Sequence, residues 1–326
     1  MEAPFDSKQS NFRFDERAWL YESIESAFRL LGEETDSLRS IAHFLAPSEL
    51  RNAKRAKRAK KRIVVSALYC ESNAASRFTI IKDGSVVLND WGIQLLKIAE
   101  LIFVPSIGAK RFLRNQGIEG YIAVIPPFVD TDRYERIDEL LSEVFYRYMG
   151  MTTKTKYILG YLDASPKNLK LTKELSLKFP DRRILLMTTN ITPMRRDRIT
   201  RKVGGSVTLI GRLPKDVLIS AFLHADAYIS ITTPYPEFVF PYEAFAAKTQ
   251  IFSIGEKIFP SAVVSEKTGY RCENIEQLSQ KLRQFLKGEL PPTIDEAYNL
   301  AKANNFTAGA TAMLHAYLNL LKGASK

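Results

Sequence analysis

The sequence predicts an α/β protein made of two doubly wound, parallel-sheet domains that face a central cleft. Three observations predict it. The chain has 326 residues, enough for two domains at roughly 100–200 residues each. Its composition, 45% hydrophobic and 25% charged, is that of a globular chain with a core and excludes disordered, collagen-like and disulfide-scaffold classes. Short apolar, β-branched runs alternate with helical stretches of about ten residues. They do so in two series, near 62–127 and 156–270.

In chain order, residues 17–31 place Trp19, Leu20, Ile24, Phe28 and Leu31 at helical spacing, with Gly32 as a stop. A second helical stretch is expected over 36–60. RIVVSALY (62–69) reads as a buried strand, apolar on both faces. Helices at 91–99 and 109–117 alternate with strands at 101–106 and 121–127, and residues 135–149 read as one amphipathic helix. The polar stretch 149–156 reads as a linker. Beyond it come strands at 156–162, 183–189, 206–211, 227–232 and 251–255, with helices at 168–179, 193–201, 214–223, 241–247 and 275–287. Helices at 293–303 and 307–322 close the chain. The domains are therefore expected at 1–148 and 157–305, with 306–326 as a terminal helix crossing back to the first domain. Sheets of this kind bind ligands at the carboxyl ends of their strands, at the point where strand order reverses.

Charge narrows the partners. The chain holds 47 Lys and Arg against 36 Asp and Glu, a net +11, so an anionic partner is expected. Nucleic acid, an anionic membrane and a phosphorylated small molecule all satisfy that. No apolar run reaches the ~18 residues of a membrane span, and MEAPFDSKQS lacks a secretory apolar core. With two cysteines, Cys70 and Cys272, a reducing, cytoplasmic location is expected. The segment RNAKRAKRAKKR (51–62) carries eight basic residues in twelve, Arg51, Lys54, Arg55, Lys57, Arg58, Lys60, Lys61 and Arg62, and no acid. A solvated surface helix is the bland reading. Peripheral docking on anionic lipid, at about 1 kcal/mol per basic residue, is the functional one. Nucleic-acid binding ranks third, because no helix-turn-helix, RNA-recognition or zinc motif accompanies the run.

The segment ADAYISITTPYPEFVFPYEAFAA (225–247) carries the most chemistry: a buried strand, a proline-containing loop, then a helix with Pro241 and Glu243 near its start. Free N–H groups at such a helix end suit a phosphate. An acid that only complements the helix dipole is the competing reading of Glu243. This segment resembles the donor-site signature of the retaining GT-B glycosyltransferases of family 4. Other runs resemble family elements in order: 100–134 (closing the first domain), ILGYLDASPKN (158–168), VTLIGRLPKDVLISAFLHADAYIS (207–230), 267–286 and the terminal helix 304–322.

The resemblance implies two Rossmann-like domains and transfer of a sugar from a UDP- or GDP-linked donor, with retention, to a glycan or lipid-linked acceptor. It implies that Lys167 faces the diphosphate and that backbone N–H groups near Val239 and Phe240 share that charge. Glu243 would hold the ribose hydroxyls, and no metal or cofactor is implied. The chain departs from the pattern at several positions. Tyr161 stands where the family has an arginine. Tyr235 stands at the first family glutamate, which makes Glu237 the candidate substitute. Phe238 stands at the phosphate-approach glycine. The opening strand and glycine-rich loop have no match, so the first domain reads as short by about one strand–helix unit. A non-catalytic GT-B homologue serving as a binding subunit is the alternative these departures leave. Tyr69, Glu71 and Asn73 follow the strand at 62–69 and are the acceptor-side candidates. His43 is a further acceptor-side possibility, and His224 reads as structural. Asp130-Thr131-Asp132 reads as a helix cap rather than a metal motif.

Overall fold

The computed structural model describes residues 24–25, 38, 40–69, 77–83, 85–137, 139–161, 166–188, 191–211, 213–231, 239–254 and 263–323. All but Ile24 and Glu25 of the helix expected at 17–31 lies outside them. Contacts divide the chain into two compact units. Unit 1 contains Met1–Phe128 and Asn304–Lys326, and unit 2 contains Val129–Lys257 and Ser261–Ala303.

Unit 1 has a four-stranded parallel sheet, β1 (Ile41–Phe44), β2 (Arg62–Ser66), β5 (Leu101–Val104) and β6 (Tyr121–Val124), in that spatial order. Helices α1 (Leu50–Arg58), α2 (Asp90–Ile98) and α3 (Ile107–Asn115) form the crossovers. Strand order follows chain order, so right-handed crossovers put all three helices on one face. The other face receives the terminal helix α13 (Phe306–Leu321), whose Tyr317 packs edge-on to Phe103 at 5.6 Å. Gly309 permits the close start of that helix, since a Cβ there would lie 2.2 Å from the Phe128 ring.

β1 corrects the continuous helix expected over 36–60. Ile41–Phe44 pairs in parallel with Arg62–Val65, a strand not foreseen from the sequence and the first among the described residues. A second unforeseen element is the antiparallel hairpin β3 (Thr79–Lys82) and β4 (Ser85–Leu88) between β2 and α2.

Unit 2 has a six-stranded parallel sheet in the order β12-β11-β10-β7-β8-β9. Its strands are β7 (Tyr157–Tyr161), β8 (Arg183–Met187), β9 (Val207–Ile210), β10 (Ala227–Ser230), β11 (Ile251–Ile254) and β12 (Tyr270–Cys272). Alternate residues feed two cores. Tyr157, Leu159, Leu185 and Tyr228 pack on one face with α9 (Lys215–Leu223), α10 (Val239–Ala246) and α12 (Ile294–Ala303). Ile158, Ile184, Leu186 and Ile229 pack on the other with α7 (Pro166–Lys178), α8 (Pro193–Val203) and α11 (Ile275–Leu286). Burial on both faces explains why these strands read as continuous apolar runs.

The contact boundary falls twenty residues earlier than the 148/149 boundary expected from sequence. The helix expected at 135–149 is three short ones, α4 (Thr131–Glu135), α5 (Glu139–Ser142) and α6 (Val144–Tyr148). They pack with unit 2: the Phe145 and Tyr146 rings lie 5.2 and 5.9 Å from that of Tyr157, and Phe145 N–H donates to Ser220 Oγ. The polarity of 149–156 resembles a linker, but aromatic packing decides which core the preceding helices join.

Candidate functional site

The strand order of unit 2 marks a site by topology. From β7 the chain moves outward through α7, β8, α8 and β9, then returns through α9 to place β10 on the other side of β7. The junction of β7 and β10 is therefore the point where order reverses, and a ligand is expected at its carboxyl end. The two strands are in register there, with Gly160 opposite Ile229 and Tyr161 opposite Ser230. α7 and α10 are the helices that follow these two strands, so both begin at that end of the sheet.

Lys167 is the second residue of α7 and its side chain is exposed. The first turn of α7 contains no acid, so its dipole and the Lys167 ammonium add rather than cancel toward an anion. Gly160 owes its place to packing. A Cβ there would sit 2.7 Å from both Ile229 Cγ1 and Leu186 Cδ2.

α10 begins at Val239, two residues before the start expected from Pro241. Glu243 is thus the fifth helical residue, and its expected place in the first turn is corrected. Its side chain is buried, 4% exposed, and its Oε2 accepts a hydrogen bond from the Tyr134 hydroxyl. That partner from α4 is what the sequence reading missed. Burial, with the Glu243 charge second, pushes the Tyr134 phenol well above its ordinary value, so the phenol stays a donor. α4 is itself fixed: Asp130 caps it by accepting the Arg133 N–H at 3.1 Å, as expected of a capping aspartate, and Arg133 pairs with Asp216 on α9. The only sequence signal for Tyr134 was its position closing the hydrophobic turn after Asp130.

Tyr161, at the arginine position, is 1% exposed and lies 5.2 Å from the Phe240 ring. Its phenol is part of the core beneath α10, and the Val239 and Phe240 side chains are buried with it. What α10 can offer an anion is its backbone: the first N–H groups of a helix have no intrahelical partner, and Pro241 has none to offer. Tyr235, Glu237 and Phe238 lie outside the described residues.

On unit 1, Tyr69 is buried and its hydroxyl donates to the Ile125 carbonyl. Glu71 and Asn73 lie outside the described residues. His43 is enclosed between sheet and α13, 3% exposed, with Nδ1 2.7 Å from the Tyr317 hydroxyl and Nε2 2.8 Å from Ser66 Oγ. Desolvation lowers its pKa to about 3, so it is a neutral packing residue rather than a base open to an acceptor. His224 meets Ser142 Oγ at 3.1 Å and the Tyr146 ring, a structural setting. All eight basic residues of 51–62 are exposed, while Leu50 and Ala53 are buried. Arg62 pairs with Glu100, and Lys54 donates to Gln94. Among the described residues no group of three His, Cys, Asp or Glu side chains could hold a metal ion.

Two α/β units of this construction define the class: the chain has the GT-B fold of glycosyltransferases. No protein-family model and no curated protein sequence matches it. Solved structures do. Sucrose-phosphate synthase from Thermosynechococcus elongatus superposes with a TM-score of 0.65 at 15% identity, over 96% of this chain and 82% of the other. HepE from Anabaena, solved in complex with UDP-glucose, gives 0.66 at 10% identity over 92% and 82%. AviGT4, a glycosyltransferase involved in avilamycin A biosynthesis, gives 0.55 at 18% identity over 95% and 91%. At these identities the likeness is one of fold.

Proposed function

We propose that this protein is a glycosyltransferase that moves a sugar, with retention, from a UDP- or GDP-linked donor held by unit 2 to a glycan or lipid-linked acceptor. The observation that carries this reading is the convergence of α7, bearing Lys167, and α10, bearing Glu243, on the adjacent strands β7 and β10 where strand order reverses. The fold shared with nucleotide-sugar enzymes supports it, HepE being solved with UDP-glucose.

When the bond from sugar to diphosphate breaks, negative charge grows on the leaving phosphate oxygens, and the site must meet it with groups already in place. Lys167 and the N–H groups opening α10 supply that charge stabilisation. Glu243 accepts from the ribose hydroxyls. A carboxylate accepts about four hydrogen bonds, so Tyr134 and the ribose can share it, with Tyr134 fixing its rotamer. Glu237 is assigned to the sugar. The chemistry asks for no metal, because lysine and helix dipole occupy that role, and activity should survive EDTA. The exposed cations of α1 and its C-terminal flank support peripheral docking on an anionic membrane; among the described residues no helix is long and apolar enough to cross one.

Thermal-shift titration with UDP, GDP and UDP-glucose tests the donor site. Stabilisation by at least one nucleotide is expected, and none in a folded sample refutes the reading. Glu243→Ala should weaken that nucleotide about tenfold or more, the size of a lost charge-assisted hydrogen bond pair. Tyr161 in place of a cation favours a second reading, a nucleotide-binding homologue without turnover. Nucleotide binding without release of UDP or GDP from any sugar donor would select it.

A further inference from the structure

The β3–β4 hairpin has an unusual surface. Its base is anchored, with Phe78, Thr79 and Leu88 buried. Beyond the base, Ile80 is 44% and Ile81 54% exposed. Successive strand residues point to opposite faces, so the hairpin presents an isoleucine on each side. Val87 and Val86, their cross-strand partners, are partly exposed as well. The two strands form a sheet of their own. Such a ribbon is marginal in water alone, and its exposed isoleucines, which flank a polar turn containing Lys82, Asp83 and Ser85, call for a partner.

The neighbourhood identifies the chemistry of that partner. Asn89 ties the hairpin to α2: its N–H donates to the Phe78 carbonyl, its Nδ2 to the Arg77 carbonyl, and its Oδ1 caps Gly92 N–H at 2.7 Å. The second residue of α2 is Trp91, 51% exposed. Gln94, three residues on and hence on the same side of α2, receives Lys54 of the basic helix α1 at 3.1 Å. Hairpin and basic helix are thus both tied by hydrogen bonds to α2, the helix that carries Trp91, and the three are neighbours on unit 1. The acids of this surface among the described residues include Asp83 in the hairpin turn, Asp90 at the start of α2 and Glu100, the partner of Arg62, against the eight cations of 51–62.

We infer that this surface seats unit 1 on an anionic lipid bilayer, with Ile80 and Ile81 of β3–β4 entering the headgroup boundary as a shallow apolar wedge, Lys82 beside them among the lipid phosphates, Trp91 at the headgroup level and α1 against the lipid charge. The inference rests on the membrane reading of the basic helix and adds the apolar element. Aromatic rings with a polar edge collect at the headgroup boundary. Stable peripheral anchoring takes two signals, an apolar insertion and a basic patch, and this surface carries both. An acidic protein partner or a second copy would have to match the cations and accept a hairpin that is apolar on both sides. A bilayer does so without a shaped groove.

Binding to vesicles of equal parts phosphatidylcholine and phosphatidylglycerol tests this, with pure phosphatidylcholine vesicles as the control. The chain has two tryptophans, so Trp19→Phe makes Trp91 the sole reporter. Expected results are a shift of Trp91 emission to shorter wavelength on the anionic vesicles, quenching by brominated acyl chains, and weakening at high salt. Ile80→Ser/Ile81→Ser should lower the partition coefficient roughly ten- to thirtyfold, as for two half-exposed isoleucines denied an apolar environment. Its melting temperature and its response to UDP should be unchanged. Ile80→Ser alone, with a smaller loss, guards against a folding defect in the double variant. Equal binding by the double variant, with no change in Trp91 emission, overturns the wedge and leaves the basic helix as the sole contact. No vesicle binding by the parent protein overturns both the wedge and the membrane reading. Dimerisation in sedimentation that the isoleucine variants abolish reassigns the patch to a second copy and overturns the lipid assignment. The UDP response reports the donor site separately in every arm.

Discussion

Lowering the pH from 7.5 to 5.0 should cost this protein about 2 kcal/mol of stability through His43 alone. The imidazole sits between Ser66 and Tyr317 with 3% exposure, and its surroundings lower its pKa from 6.5 to about 3. Phe103 closes its side at 5.7 Å. In the fold the ring is neutral, and in the unfolded chain it takes up a proton below pH 6.5. The unfolded state therefore binds more protons, and stability falls as the pH drops from about 6.5 towards 3. At about 1.36 kcal/mol per unit, the one and a half units from 6.5 to 5.0 give the stated loss. The assay is urea unfolding at both pH values followed by Trp91 emission, in protein with Trp19→Phe, beside the same protein carrying His43→Gln. The glutamine variant does not titrate there, so its pH difference should be smaller by about 2 kcal/mol. Imidazole NMR provides the direct measurement: of the three histidines in the chain, the signal lost in His43→Gln should show no titration above pH 5. A midpoint near 6.5 for that signal, or the same pH dependence with and without His43, would refute the reasoning.

Further outcomes follow from unit 2. Tyr134→Phe removes the donor to the buried Glu243 carboxylate and should destabilise the protein by about 1.5–3 kcal/mol in denaturant unfolding, the range for a hydrogen bond to a charged group; a change within error would show that the bond is idle. Gly160→Ala forces a methyl between Ile229 and Leu186 and should cost about 1–3 kcal/mol by overpacking, read as a lowered melting temperature. Lys167→Ala should leave the melting temperature of the free protein unchanged, since the side chain is exposed. It should weaken UDP in calorimetric titration more than uridine, which lacks the diphosphate; equal losses would remove Lys167 from the phosphate.

Much of this architecture was written in local pattern. Strands such as RIVVS and YILGY are apolar on both faces because both faces are covered, and that signal survives without knowing what covers them. The same pattern hid β1, where His43 interrupts a four-residue strand that reads as helix until its partner at 62–65 is seen. It also hid the hairpin, although Asp83-Gly84 is a strong turn signal between apolar runs. That Lys167 and Glu243 lie on helices following buried strands was legible from the apolar runs that precede them. The fate of Tyr161 was not, because the Phe240 ring it packs against is 79 positions away in the chain and close only in space.

By itself the sequence determined the alternation of strands and helices, the net positive charge, the basic run and the residue types over 225–247, all properties of neighbours along the chain. Tertiary structure alone decided that residues 129–148 join the second core, that the reversal of strand order falls between β7 and β10, and that His43 is buried and neutral. It also decided that Glu243 is held by Tyr134. Each of these depends on pairings between residues tens to hundreds of positions apart, and local periodicity carries no record of such partners.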